Sequence, residues 1–272
     1  MSRREIDLLH RNPWEALRQF TAARIALGRT GDSLPTAELL KFGLAHAQAR
    51  DAVHQPFMSE ELAGPLAALG LHTLTVNSAA PDRSTYLRRP DLGRKLSAQS
   101  HAQLSAWPDK QADLLLVIGD GLSSKAVHRQ AVPLIAELLP YLRTLGLSSA
   151  PVVLAHQSRV ALGDDAGECL QAKAVAILIG ERPGLSSPDS LGIYMTWGPN
   201  TTRLESERNC ISNIRPEGLD YPQAAFKLAW LLEQSFQRRL SGVQLKDESD
   251  NPALHGCISP AYGIKSDNSV YN

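Results

Sequence analysis

The sequence predicts an α/β fold, a Rossmann-like, mostly parallel sheet with helices on both faces, preceded by an N-terminal helical segment. Short apolar runs at residues 71–76, 151–156 and 174–180 have the length and composition of strands. Stretches with helical periodicity separate the runs, and this alternation is typical of parallel strands joined by right-handed crossovers. With 272 residues, the chain can bury a core without disulfide or metal staples.

The first 70 residues are expected to form the helical segment. Asn12 precedes Pro13, and Glu15 stands three residues after Asn12, which is the pattern of a capped helix start. A helix is therefore predicted from Pro13 to about Leu27. A second helix is predicted from near Pro35, and its apolar face contains Leu39, Leu40, Leu44 and Ala47.

Residues 71–246 are expected to form the Rossmann-like domain. Its predicted elements, in order, are a strand at 71–76, a helical region at 91–106, a strand in LLLVIGDGLSS (114–124), a helix capped by Ser123 or Ser124, a strand at 151–156, a helix at 164–173, a strand at 174–180, an edge strand at 191–197 and a helix at about 222–241. Pro133 is expected to kink or divide the helix that contains it. Residues 247–272 are polar and aperiodic, which predicts an irregular or disordered tail.

Composition excludes several classes of protein. The 28 basic residues balance 28 acidic ones, so net charge gives no reason to expect nucleic acid or an anionic membrane as partner. No apolar window is long enough to span a bilayer or to serve as a signal peptide, so a soluble, cytoplasmic protein is expected. The three cysteines are far apart and the histidines do not pair at metal-ligand spacing, so no metal site is predicted.

Four stretches are candidates for binding. GDGLSS (119–124) ends a strand and opens a helix, a position where backbone amides can hold an anion, but it departs from the GxGxxG fingerprint. The other three are QSRVALGDDAGE (157–168), GERPGL (180–185) and ERNCISNI (207–214), which meet if the strand ends share one edge of the sheet. Spacing alone leaves non-functional interpretations open, such as a turn at ERNCISNI or solvated charges at GERPGL.

The residues also carry a resemblance to the small (light) subunit of ethanolamine ammonia-lyase. The stretches that carry it are ARIALGRTG (23–31), YLRRPDLGRKL (86–96), VIGDGLSSKAV (117–127), RVALGDDAGECLQAKAVAILIGERPGL (159–185) and ERNCISNIRPEG (207–218). Their order and spacing extend from about residue 10 to about residue 246. The resemblance implies an ammonia-lyase that uses adenosylcobalamin to convert ethanolamine to acetaldehyde and ammonia by a radical mechanism. It also implies a hetero-oligomer in which a large subunit holds the substrate.

The resemblance also implies which residues contact the cofactor. By motif they are Val160, Glu181 and Cys210, with a backbone bond at Val160, amide donors to Glu181 and a small contact at Cys210 that is not a cobalt ligand. Arg182 is expected to pair with a neighbouring acid or with the large subunit. No catalytic residue is implied on this chain, since the groups that act on ethanolamine are expected on the partner.

Two further hypotheses differ in class. One is a stand-alone Rossmann-like nucleotide-binding protein or oxidoreductase that uses GDGLSS. The other is a structural or targeting protein of a bacterial microcompartment. Only about ten residues precede the first predicted helix, which gives little support for an N-terminal targeting extension.

Overall fold

A six-stranded sheet organises the chain, and the computed structural model describes residues 9–251, 253 and 258. The strands are β1 (Thr73–Asn77), β2 (Leu114–Gly119), β3 (Val152–His156), β4 (Ala174–Gly180), β5 (Leu191–Trp197) and β6 (Arg208–Ile214). Their spatial order is β1-β3-β2-β4-β5-β6. The first four are parallel, β5 runs antiparallel to β4, and β6 runs antiparallel to β5. The predicted mostly parallel sheet is confirmed.

Helices cover both faces of the sheet, as predicted. They are α1 (Thr36–His54), α2 (Ser59–Ala68), α3 (Arg83–Arg88), α4 (Ala98–Ser105), α5 (Ser124–Thr144), α6 (Ala161–Leu170) and α7 (Tyr221–Arg238). One apolar core joins α2, α5 and α7 to one face, and a second joins α4 and α6 to the other. Because β2 and β4 lie between the two cores, every residue of both strands is buried.

The helix predicted from Pro13 to about Leu27 is wrong. Asn12 Oδ1 accepts a hydrogen bond from the Trp14 amide at 2.9 Å, but the helix begins two residues later than predicted, with Trp14 as its N-cap and no side-chain capping bond. Only a 3₁₀ helix at Glu15–Phe20 follows, and none of its residues is buried. Without an apolar face in contact with the core, so short a helix gains too little to extend further.

The second predicted helix is confirmed as α1, but its predicted apolar face does not enter the core. Ala45 and Ala52 are the buried residues of α1. Leu39, Leu40 and Leu44 are 57%, 68% and 61% exposed. The helix therefore packs through small side chains and leaves its leucines at the surface.

In the second half of the domain, one prediction is wrong and one of the two alternatives predicted for Pro133 is excluded. The strand at 191–197 is not an edge strand, because β5 lies between β4 and β6. The edge is β6, in a stretch that sequence reasoning treated as a loop. Pro133 does not divide α5, which continues through Ser124–Thr144. The apolar stripe that α5 buries outweighs the ~3 kcal/mol that an internal proline costs.

The remaining elements refine the prediction. Ser123 is confirmed as the cap of α5, since its Oγ accepts from the Ala126 amide at 3.2 Å. The helical region at 91–106 consists of a 3₁₀ turn at Leu92–Arg94 and α4. Most of the tail predicted at 247–272, with Cys257, lies outside the described residues, as do residues 1–8. Among the helices of the described chain, none is long and apolar enough to cross a membrane.

Candidate functional site

Val160, Glu181 and Cys210 come from three separate segments, and the structure brings them together around Tyr194. Val160 immediately precedes α6 and lines a cavity of about 300 Å³ together with Tyr194. Cys210 on β6 is the register partner of Tyr194 on β5. The Glu181 carboxylate packs against Gly192 of β5 and lies 3.4 Å from the Asn213 amide of β6, so it lies within a few residues of Tyr194 and Cys210 on the same two strands.

Among the described residues, strands β5 and β6 are fully covered on one face and only partly covered on the other. Ile193 and Ile211 are buried in the core that includes α7. On the opposite face, the core of α4 and α6 reaches Tyr194, while Cys210 and Ser212 are exposed. The exposed positions of β6 therefore form a surface next to Tyr194 that a ligand or another chain could cover.

The cavity is rich in guanidinium groups. Its lining consists of Pro90, Arg94, Arg159, Val160, Tyr194, Glu205 and Arg208. Val160 accepts a hydrogen bond from the Gly163 amide at 3.0 Å through its carbonyl. Its own amide has no backbone acceptor among the described residues, as is usual in the first turn of a helix. Arg94 pairs with Glu205 and Arg208 with Asp164, so Arg159 is the lining guanidinium that forms no ion pair with the described residues.

A buried ion pair fixes the geometry between α6 and β6. Arg208 Nε donates to Asp164 Oδ2 at 2.8 Å, and Arg208 Nη2 lies 2.7 Å from the same oxygen. The two side chains are 3% and 2% exposed. Burial raises the pKa of Asp164, and the charge of Arg208 opposes that shift. Because α6 begins next to Val160 and β6 carries Cys210, the pair sets their separation.

Glu181 is held at the end of β4 by three contacts. Ser190 Oγ donates to Glu181 Oε2 at 2.6 Å, and the Asn213 amide lies 3.4 Å from each carboxylate oxygen. Gly192 leaves room for the carboxylate, since a Cβ at this position would lie 2.9 Å from Glu181 Oε1. Arg182 is exposed and forms no ion pair with the described residues, so its predicted partner on this chain is absent there.

Tyr194 and Cys210 share a hydrogen bond and lose part of their solvation. Burial, followed by the Cys210 thiol and Glu181, raises the pKa of Tyr194 to about 12. Desolvation of the sulfur raises the pKa of Cys210, and the bond from Tyr194 partly opposes that shift. At neutral pH both groups are therefore neutral, and they can serve as polar contacts but not as bases.

The GDGLSS turn is filled by the protein itself. Asp120 accepts from the amides of Gln157 and Ser158 at 2.9 and 2.8 Å, and desolvation raises its pKa. The Leu122 amide donates to the Gly180 carbonyl at 2.9 Å. A Cβ at Gly121 would lie 2.2 Å from that same carbonyl. The turn thus connects β2, β3 and β4, and it does not provide the anion cradle that the nucleotide-binding hypothesis requires.

Sequence reasoning missed several residues of this surface. Tyr194 lies in a predicted strand, but its role depends on the register between β5 and β6. Gly192 matters only because Glu181 packs against it. Arg208 and Asp164 are 44 residues apart, and no local pattern pairs them. The cluster of polar residues in ERNCISNI was the one available signal.

Comparison with known proteins identifies the family. The model of the family ethanolamine ammonia-lyase light chain matches residues 11–246. The chain is 54% identical to the ethanolamine ammonia-lyase small subunit of Xanthomonas campestris over 247 residues, which cover 90% of this chain and 91% of that protein. It is 54% identical to the small subunit of Azotobacter vinelandii over 251 residues, covering 91% and 93% of the two chains. For the Pseudomonas aeruginosa small subunit the identity is 52% over 253 residues, covering 92% and 93%. The chain therefore belongs to the ethanolamine ammonia-lyase light-chain family.

Proposed function

We propose that this chain is the small subunit of an adenosylcobalamin-dependent ethanolamine ammonia-lyase and completes the cofactor site at the interface with the large subunit. The cofactor, when bound, supplies the radical chemistry that converts ethanolamine to acetaldehyde and ammonia. The observation that carries the proposal is the convergence of Val160, Glu181 and Cys210 around Tyr194, on a sheet face that the described residues cover only in part.

The chemistry of these residues fits a cobalamin. The periphery of a corrin ring carries carboxamide side chains, which need both donors and acceptors. The Val160 amide can donate to a carboxamide oxygen, and the Glu181 carboxylate has capacity to accept N–H groups beyond those of Ser190 and Asn213. The Arg159 guanidinium in the cavity, which forms no ion pair with the described residues, suits the phosphodiester of the nucleotide loop.

The large subunit is the partner in this proposal. Exposed large apolar side chains concentrate in the N-terminal segment; they are Trp14, Leu17, Phe20, Leu34, Leu39, Leu40, Phe42 and Leu44. Monomeric proteins rarely expose so many large apolar side chains in one segment, and such a surface is typical of a subunit interface. A Leu39→Ser, Leu40→Ser double variant should reduce co-purification with the large subunit. Val243→Ser, which changes an exposed apolar residue elsewhere, is the matched control.

Reconstitution tests the activity. Each subunit, and the two together, should be assayed for acetaldehyde production from ethanolamine with and without adenosylcobalamin. The proposal predicts product only when both chains and the cofactor are present. Activity of the large subunit that needs neither this chain nor the cofactor would overturn it.

A single carboxylate tests the contact surface. Glu181→Ala removes an acceptor of charge-assisted hydrogen bonds, worth about 1.5–3 kcal/mol, so the cofactor dissociation constant of the complex should rise roughly 10- to 100-fold. Glu217→Ala removes an exposed carboxylate at a nearby loop and should leave that constant unchanged. Equal constants for the two variants would exclude Glu181 from the site.

The proposal also includes a location in the cytoplasm, either free or inside a bacterial microcompartment. Fusion of residues 1–30 to a fluorescent protein, expressed with the shell proteins of such a compartment, tests targeting. Fluorescence confined to the shells would support packaging by this segment, and diffuse fluorescence would count against it.

A further inference from the structure

A second cluster of chemically distinctive side chains lies between α4 and α6, apart from the cofactor-contact residues. It consists of His101 on α4 with Asp165 and Cys169 on α6. One nitrogen, one carboxylate oxygen and one sulfur from these residues all lie within 4.8 Å of one another. Asp165 and Cys169 are buried, whereas His101 is exposed.

The helical spacing explains the convergence. Asp165 and Cys169 are four residues apart on α6, so their side chains share one face of the helix. That face packs against α4, which brings His101 to the same point. No sequence pattern indicates this arrangement, because His101 is far from Asp165 along the chain and the two meet only where α4 packs against α6.

Nearby hydrogen bonds support a ligand role for each side chain. Asp165 Oδ2 accepts from the Leu96 amide at 2.8 Å, and Oδ1 has no hydrogen-bond donor within the described part of the chain. His101 Nδ1 lies 3.4 Å from Ser105 Oγ, which holds the imidazole over the helix interface. Ser105 also hydrogen-bonds the Cys169 side chain. Ligand residues in metal sites are oriented by second partners of this kind.

The ligand set indicates the metal. A thiolate, an imidazole and a carboxylate favour Zn²⁺ over Mg²⁺ or Ca²⁺, which prefer oxygen ligands alone. In a tetrahedral zinc site, ligand atoms lie about 3.5 Å apart, as follows from metal–ligand bonds of about 2.0–2.3 Å. Closing the cluster from its widest separation of up to 4.8 Å requires a shift of about 1 Å.

We propose that His101, Asp165 and Cys169 form a zinc site that clamps α4 to α6, with water as the fourth ligand. The thiolate and the carboxylate together balance the charge of the ion. Since α6 begins beside Val160, the clamp also steadies the helix start that lines the candidate cofactor cavity.

Metal titration of the full-length, cobalamin-free chain tests the proposal. After treatment with a chelator and dialysis, the chain should bind one Zn²⁺ and melt several degrees higher with it. Substitution by Co²⁺ should give a thiolate-to-metal absorption band. His101→Ala and Cys169→Ser should each weaken Zn²⁺ binding by about 100-fold or more and abolish the band.

Two matched variants exclude adventitious binding. His72→Ala removes another exposed histidine, and Cys210→Ser leaves the same number of thiols as Cys169→Ser. Both controls should keep wild-type affinity and the cobalt band. Circular dichroism checks the fold of every variant. Because His101 is exposed, we expect His101→Ala to fold normally, so its loss of Zn²⁺ binding can be attributed to the missing ligand. Absence of stoichiometric binding, or equal losses in ligand and control variants, would overturn the proposal.

Discussion

The buried ion pair between Asp164 and Arg208 gives the sharpest prediction about stability. Arg208 has two acidic neighbours, Asp164 at 2.7 Å and Glu205 at 3.8 Å. Asp164 is 2% exposed and Glu205 is 69% exposed. One guanidinium therefore faces a buried and a solvated carboxylate in the same fold, so two substitutions can separate the effect of burial from that of charge.

Asp164→Asn removes the buried counter-charge of Arg208 and leaves only the exposed Glu205 beside it. Breaking a buried pair from one side costs about 3–5 kcal/mol, whereas loss of an exposed pair costs about 0–1 kcal/mol. At about 2–4 °C per kcal/mol for a chain of this size, Asp164→Asn should lower Tm by roughly 10 °C and Glu205→Gln by a few degrees at most.

Thermal unfolding followed by circular dichroism, at one protein concentration and one ionic strength, provides the measurement. Because the pair holds α6 against β6, Asp164→Asn should also weaken cofactor binding by the two-subunit complex, and Glu205→Gln should do so far less. Equal changes in Tm for the two variants would refute the reasoning that burial, and not charge alone, makes this pair important.

Two further predictions concern the surface around Tyr194. Gly192→Ala should weaken cofactor binding about as much as Glu181→Ala, because the new methyl group displaces the Glu181 carboxylate. Gly64 has open space around it, so Gly64→Ala should leave cofactor binding unchanged. Equal cofactor affinities of the Gly192→Ala and Gly64→Ala complexes would contradict this. Alkylation of Cys210 by iodoacetamide should become fast only above the ordinary thiol pKa of about 8.5, because a raised pKa leaves less thiolate at any lower pH. Tyr194→Phe removes the bond that lowers the pKa of Cys210, so peptide mass spectrometry should show the alkylation profile shifted to still higher pH.

The central strands could be predicted from sequence because they are buried on both faces. Residues 174–180 form an uninterrupted apolar run, and β4 occupies that range in the structure. The edge strand β6 gave no such signal, since only Arg208, Ile211 and Ile214 of its seven residues are buried. A register shift near Leu191 and a positive φ of 59° at Asn213 further disrupt its alternation.

The prediction of the N-terminal helix was wrong for a different reason. The capping pattern around Asn12 is local, and the local turn it predicts is present. Helix length depends on burial of one face, and none of the residues of Glu15–Phe20 is buried by the described part of the chain. The exposed leucines of α1 show the same effect, because an apolar stripe indicates that a surface will be covered but not by which chain.

The candidate site was predicted through family resemblance, and its geometry required the fold. The motifs suggested Val160, Glu181 and Cys210 as contact residues, but each lies in a different segment. Their convergence depends on the pairing of Tyr194 with Cys210 and on the contact of α6 with β6. Both are long-range relations that composition and periodicity do not encode.

Electron cryo-microscopy of the complex of both subunits with adenosylcobalamin tests the central proposal most directly. We expect the corrin to lie against the partly exposed face of β5 and β6, with carboxamide groups within hydrogen-bond distance of the Val160 amide and the Glu181 carboxylate, and with Cys210 in contact with the cofactor. A cofactor bound in the complex without contact to any of these three residues would contradict the account.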